Sequence, residues 1–251
     1  MIVRYGCENG VAYITLDRPQ ALNALNGEMA QELEAAWRTF EEDQGAGVAI
    51  LTGNGRAFCS GVDMREVARS MQSGHERRSV GFGLEIQGPQ VTKPKLCAVN
   101  GAAVGSGVGL VLGCDIAICV PEAIFSMPFA ARGTVGGTLL VQLARKTSLG
   151  LAMLMGITAQ RIDAQVALRM GLVQEIVPPD QLLPRATEIA QRILENSPLA
   201  VRAIKERLLK SMDLSYREAL ESVGPLEAEA AKSAHAREGT IAYAEKRKAR
   251  F

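Results

Sequence analysis

The stretch "NGAAVGSGVGLVLGCDIAI", residues 100 to 118, holds five glycines around one serine and runs through an apolar segment up to Asp115. Glycine this dense costs backbone entropy on folding, so something must need the bare main chain there. A nucleotide phosphate, a packed neighbour and a reacting carbonyl oxygen are the candidates. Gly105, Gly107 and Gly109 run G-x-G-x-G, not the G-x-G-x-x-G of a dinucleotide fingerprint, and no Gly-Lys-Ser/Thr follows to make a P-loop. Close packing accounts for Gly107 and Gly109 and stays open. A strand that ends in a glycine turn and opens a helix also aims unpaired amides at one point. Amides so placed stabilise negative charge developing on a thioester or enolate oxygen.

The elements that must hold such a loop are legible around it. "IVRYG" and "VAYITL" alternate about Asn9-Gly10, a hairpin signal over residues 2 to 16. Met29, Leu33, Trp37 and Phe40 recur at spacings of four, four and three, which predicts a helix from Gly27 to about Asp43. "GVAILTG" and "KLCAV" read as buried strands, "DIAIC" and "AIFSM" as strand-like, and "GLVQEIVP" as a last brief extended piece. The stretch from Asp63 to about Gln90 reads as a polar helix interrupted by "SGHERRS" and "GFG", and as a flap. The glycine loop itself is expected to feed a helix over Val108 to Gly113. From Pro198 onward the pattern is helical, including one helix from Ser215 to about Ser233, with a basic tail. Alternating strands and helices make the class α/β, with no internal sequence repeat.

Composition narrows the partners. A 251-residue chain with 47% apolar and 22% charged residues buries an ordinary core. A formal net charge of +1 gives no electrostatic reason to expect nucleic acid or an anionic membrane. No apolar run is long enough for a secretory leader or a membrane span. The five cysteines (Cys7, Cys59, Cys97, Cys114, Cys119) lack metal-ligand spacing and read as buried free thiols in a reducing cytoplasm; with two histidines, no metal centre is expected.

"AFCSGVDMREV" (57–67) followed by "KPKLCAVNGAAVGSGVGLVLGCDIAI" (93–118) resembles the enoyl-CoA hydratase/isomerase, or crotonase, family. "LDRPQALNAL", "LTGNGRAF", "QRIDAQVALRMGLVQEIVP" and "REGTIAYAEKRKARF" extend the likeness over nearly the whole chain. The resemblance implies a spiral of ββα units over residues 1–195 and a helical C-terminal trimerisation region over 196–251, assembled as trimers or pairs of trimers. It implies an acyl-CoA or acyl-carrier-protein thioester as substrate, with no cofactor beyond the coenzyme A that the substrate carries. The family's backbone oxyanion hole maps onto the amides of Val62 and Ser106, with serine at 106 where glycine is usual. Its coenzyme A contacts map onto Arg18, onto Ser60, Val62, Asp63 and Met64, and onto Lys246.

The acids do not carry over. Gly109 and Phe129 stand where the family's hydratases have their two glutamates, and neither can move a proton. Phe82 falls where a dehalogenase branch has its histidine, so Phe82, Gly109 and Phe129 describe an apolar pocket around a retained oxyanion hole. A decarboxylase branch acting on glutaconyl thioesters in polyketide β-branching also lacks both glutamates, has phenylalanine at the Phe129 position and resembles "GGTLLV" (136–141). It carries a lysine near Met64–Arg65 and a histidine near Glu227 that this chain does not match cleanly; His235 is a few positions off and is expected on an exposed helix. Glu66 and Glu85 are the carboxylates within the flap that could replace the missing base, against the plainer reading that both are solvated. Three readings stay open: a thioester enzyme running isomerisation, decarboxylation or a slow hydratase reaction instead of standard hydration, a non-catalytic acyl-CoA or acyl-carrier binding protein, and an interaction protein using its trimer surface.

Overall fold

The structure is a computed structural model and describes residues 1–72 and 84–251. Asn9 and Gly10 both take positive φ (50° and 81°), as a tight two-residue turn between twisted strands demands. That turn folds β1 (Val3–Glu8) antiparallel onto β2 (Val11–Leu16). In α1 (Gly27–Glu42) the Asn26 side chain accepts from the Met29 amide at 2.9 Å and caps the helix. Met29, Leu33, Trp37 and Phe40 are all fully buried, so the expected apolar face is the one that packs.

The chain then repeats two strands and a helix. β3 (Val48–Gly53) and β4 (Ala57–Cys59) lead to α2 (Met64–Gln72). β5 (Lys95–Val99) and β6 (Ala102–Val104) lead to α3 (Ser106–Leu112), and β7 (Ile116–Cys119) and β8 (Ile124–Ser126) lead to α4 (Thr138–Lys146). After α5 (Leu149–Thr158) come β9 (Ile162–Asp163), α6 (Ala164–Met170), β10 (Glu175–Ile176) and α7 (Leu182–Leu194). The first strand of each unit enters a six-stranded sheet ordered β1-β2-β3-β5-β7-β10, and the second enters a four-stranded sheet ordered β4-β6-β8-β9. Residues of β3 from Val48 to Thr52 and all of β5 are buried, as parallel strands covered on both faces must be. The helices α8 (Pro198–Ser211), α9 (Tyr216–Glu221), α10 (Val223–Ala231) and α11 (Ala234–Ala244) complete the chain.

The ββα units that the resemblance implied are present, although no repeat is legible in the sequence. β4 and β6 are three residues each, too short to show a period, and their partners are remote: Ala57 pairs with Ala102. The helix after the glycine loop starts at Ser106, not Val108. Of the polar stretch 63–90, helix spans Met64–Gln72 and a 3-10 turn spans Leu84–Gln87; residues 73–83, with Phe82 and most of the expected flap, lie outside the described residues. The single helix expected from Ser215 to Ser233 is broken at Ser222, and Pro225, which has no amide hydrogen, falls in the first turn of α10. Cys7 is exposed on edge strand β1, while the other four thiols are buried. No helix among the described residues is long and apolar enough to cross a membrane.

Candidate active site

Two glycine loops meet at the C-terminal ends of β4 and β6. Gly61 takes φ 86°, and a Cβ there would lie 2.5 Å from the Val104 carbonyl oxygen and 3.6 Å from the Ser106 amide nitrogen. Only glycine lets the loops approach so closely. The first loop is pinned from behind: Leu25 N–H donates to the Gly61 carbonyl at 2.7 Å and Asp63 N–H to the Leu25 carbonyl at 2.8 Å. In that parallel bridge the Val62 amide faces away from Leu25, and it meets no acceptor among the described residues. In the second loop Gly105 takes φ 54° and donates to the Ser126 carbonyl at 2.8 Å. Ser106 opens α3, so its amide has no carbonyl one turn back and donates to no described acceptor.

Val62 and Ser106 line a cavity of about 50 Å³ together with Ser60, Phe129, Arg132 and Thr134. An apolar cavity of about 370 Å³, lined by Leu140, Leu143, Met153 and Ile157, shares Phe129 and Thr134 with it. Close packing and free amides both explain the glycines. A Cβ on Gly107 would overlap the Cys59 carbonyl oxygen, and one on Gly109 would lie 2.5 Å from Leu139 Cδ2 and 3.3 Å from Gln87 Nε2. Leu139 therefore occupies the space beside position 109. A Cβ on Gly136 would overlap the Phe129 ring, whose Cζ lies 3.8 Å from where a Cβ on Gly105 would be. The ring is wedged between the two glycines, at the edge of the amide pair. No carboxylate among the described residues lines the smaller cavity.

A larger cavity, about 520 Å³, lies elsewhere, between α8 and the α3–β7 face, and shares no residue with these two. Its charges are already engaged: Lys205 meets Asp115 at 2.8 Å, Lys146 donates to the Leu112 and Cys114 carbonyls, and Arg145 meets Asp213 at 2.8 Å.

The sequence profile described as Enoyl-CoA hydratase/isomerase matches residues 6–251. The chain belongs to the enoyl-CoA hydratase/isomerase family. It is 35% identical over 248 residues to a mitochondrial enoyl-CoA hydratase of Pongo abelii, spanning 98% of this chain and 85% of that protein. It is also 35% identical over 245 residues to a carnitinyl-CoA dehydratase of Proteus mirabilis, spanning 94% and 93%. The crystal structure of an enoyl-CoA hydratase/isomerase from Mycobacterium paratuberculosis superposes with a TM-score of 0.90 at 35% identity, covering 100% of this chain and 98% of that one. An enoyl-CoA hydratase structure from Bacillus anthracis gives 0.92 at 28% identity, covering 100% and 99%. The crotonase fold is thereby shown.

Within this enoyl-CoA hydratase/isomerase fold, the residues mapped to coenzyme A contacts fall in different places. Ser60 and Met64 line the small cavity with Val62. Arg18 does not: its Nη1 donates to Asp63 Oδ2 at 2.8 Å and to the Ala24 carbonyl at 3.1 Å. Burial pushes the Asp63 carboxyl up, but Arg18 and the amides of Arg65 and Glu66 outweigh it and hold the group below its ordinary range. Arg18 and Asp63 thus fix the loop's far side. Lys246 is exposed beyond α11 and does not line the small cavity. Glu66 and Glu85 are exposed and line neither cavity; Glu66 Oε1 instead lies 3.8 Å from where a Cβ on Gly27 would be. His235, expected on an exposed helix, is half-buried in α11: Nδ1 lies 2.8 Å from Ser197 Oγ and the ring stacks on Phe251 at 5.5 Å.

Two residues escaped the sequence reading. Asn23 is fully buried; its amide donates to the Asn54 and Ala57 carbonyls at 2.9 Å while its oxygen accepts from Arg18 N–H at 2.9 Å. Its left-handed φ of 53°, next to Leu22 at 52°, signals a built turn that spacing alone does not show. The other is Arg132, the charged side chain in the small cavity. A lone arginine in "FAARG" has no periodicity to announce it.

Proposed function

We propose that this protein is an acyl-thioester enzyme, with coenzyme A or a carrier protein bearing the acyl group. Its Val62 and Ser106 amides hold an enolate oxygen, and it decarboxylates its substrate without the hydratase glutamate pair. The observation that carries the reading is the packing beside the amides: Leu139 against Gly109 and the Phe129 ring between Gly105 and Gly136, with no carboxylate in the cavity lining among the described residues. Hydration needs a base for water and an acid for the α-carbon, and isomerisation needs a group that carries a proton between carbons. Loss of carbon dioxide needs neither to begin. The carbon–carboxylate bond breaks, its electron pair passes into the enolate, and two N–H donors stabilise the oxygen that gains charge. Water then returns a proton to carbon.

We further propose that the protein works in the cytoplasm as a homotrimer or a dimer of trimers. Support for assembly comes from exposed apolar side chains in the lining of the cavity of about 370 Å³, Val135, Leu149 and Ile157. The test is incubation with crotonyl-, 3-enoyl- and glutaconyl-CoA, with products followed by mass. Release of carbon dioxide from glutaconyl-CoA, with crotonyl-CoA left unhydrated, is the expected result. Rapid hydration of crotonyl-CoA overturns the proposal, and binding of all three without turnover reduces the protein to a thioester binder.

A further inference from the structure

We infer that Arg132 binds a free carboxylate on the acyl group, so that the site selects thioesters of dicarboxylic acids. The inference rests on the proposed acyl-thioester function and names its substrate class. Arg132 lines the same cavity of about 50 Å³ as the Val62 and Ser106 amides, and it is the charged residue in a lining otherwise made of apolar, glycine and hydroxyl groups. Its guanidinium meets no carboxylate or carbonyl among the described residues. Arg132 is exposed, and other exposed arginines such as Arg161 and Arg169 likewise make no ion pair among the described residues; what sets Arg132 apart is its place in the lining of the cavity that holds the two amides.

The base of the side chain is fixed. Arg132 closes a 3-10 turn directly after Phe129: Arg132 N–H donates to the Phe129 carbonyl at 3.0 Å, Gly133 N–H to the Ala130 carbonyl at 3.1 Å, and Thr134 N–H to the Phe129 carbonyl at 2.9 Å. Gly133, at φ 66°, ends the turn. A cation is thus held at the rim of a pocket that supplies it no counter-charge. A guanidinium matches a carboxylate with two parallel N–H donors. A phosphate of coenzyme A has the same anionic chemistry. However, those phosphates sit a pantetheine arm away from the thioester carbonyl, whereas Arg132 shares a cavity with the amides that would hold that carbonyl.

The test measures dissociation constants of glutaryl-CoA, pentanoyl-CoA and free coenzyme A for the unsubstituted protein, Arg132→Leu and Arg132→Lys. The two acyl chains have the same length, and both are saturated, so neither offers the vinylogous bond that glutaconyl decarboxylation needs. In Arg132→Leu the ratio of the glutaryl-CoA to the pentanoyl-CoA dissociation constant is expected to rise about 10- to 100-fold, the worth of a charge-assisted hydrogen bond. Arg132→Lys recovers part of that ratio, because it keeps the charge and loses the fork. An unmoved ratio overturns the inference. An equal loss for all three ligands also overturns it and assigns the arginine to a coenzyme A phosphate. If neither thioester binds the unsubstituted protein, the reading of the site as an acyl-CoA site falls. If both bind and the ratio stays put, only the role of Arg132 falls.

Discussion

Ser106→Pro separates the amide from everything else Ser106 does. Ser106 is the first residue of α3, the helical position where proline is best tolerated because the N–H it lacks has no intrahelical partner. The helix's own ladder is untouched, since Gly109 N–H still donates to the Gly105 carbonyl at 3.1 Å. The preceding residue is Gly105, which bears the steric restriction that proline imposes better than any other residue would. What disappears is one of two donors, and the ring's Cδ takes the place of its hydrogen at the wall of a cavity of only about 50 Å³. Losing one oxyanion donor costs about 10²–10³ in kcat, or roughly 2.7–4 kcal/mol. The control is Ser106→Ala, which keeps the N–H; the Ser106 hydroxyl makes no hydrogen bond among the described residues, so turnover should fall less than about threefold. The assay is single-turnover mass spectrometry on whichever thioester the unsubstituted protein consumes, with urea unfolding to establish that both variants are folded. A folded Ser106→Pro variant that keeps turnover within about tenfold of the parent would falsify the oxyanion reading.

Two further outcomes follow from packing and burial. Gly109→Glu pushes its Cβ against Leu139 Cδ2, 2.5 Å away, and should destabilise the fold by about 1–3 kcal/mol without producing hydration of crotonyl-CoA. Adding Leu139→Ala should recover at least about 1 kcal/mol as coupling in a urea double-mutant cycle, and strict additivity would show that Leu139 does not hold that space. Lys95 is buried and donates to the Gln87 and Gly88 carbonyls at 2.7 and 2.8 Å; burial pulls its pKa down to about 8. A folded pKa below the unfolded one means that the unfolded chain binds more protons between pH 8 and 10.5, so the stability from this group rises with pH across that window. The unsubstituted protein should therefore gain about 3 kcal/mol relative to Lys95→Met from pH 8 to 10.5 in urea unfolding. A flat difference would show that the ammonium is not desolvated.

What could be read from the sequence was local or strongly patterned. Asn9-Gly10 gives the hairpin because two adjacent positive φ values need those residue types, and α1 shows itself because four side chains repeat on one face. β4 and β6 were hidden because their information lies in pairing across 45 residues, Ala57 with Ala102, and not in their three-residue lengths. The site divides along the same line. The glycine turns and the two amide positions were visible in the motifs. That Leu139 fills the space beside Gly109, and that Phe129 wedges against Gly136, required contacts no spacing encodes. Arg132 stayed hidden for a different reason. A cation becomes informative only once its surroundings are known to lack an anion.

The free N–H groups at Val62 and Ser106 have an evolutionary consequence. Nineteen of the genetic code's twenty amino acids write the same donor into the main chain, so drift at either codon reshapes the pocket's mouth while the donor is inherited intact. Side-chain reagents have no such protection, and one nucleotide can delete a glutamate. If the two amides hold an anion as proposed, a lineage built this way can lose its old acids and bases and acquire new ones around a donor pair that substitutions at 62 and 106 leave in place, so long as Gly61 keeps the loops together.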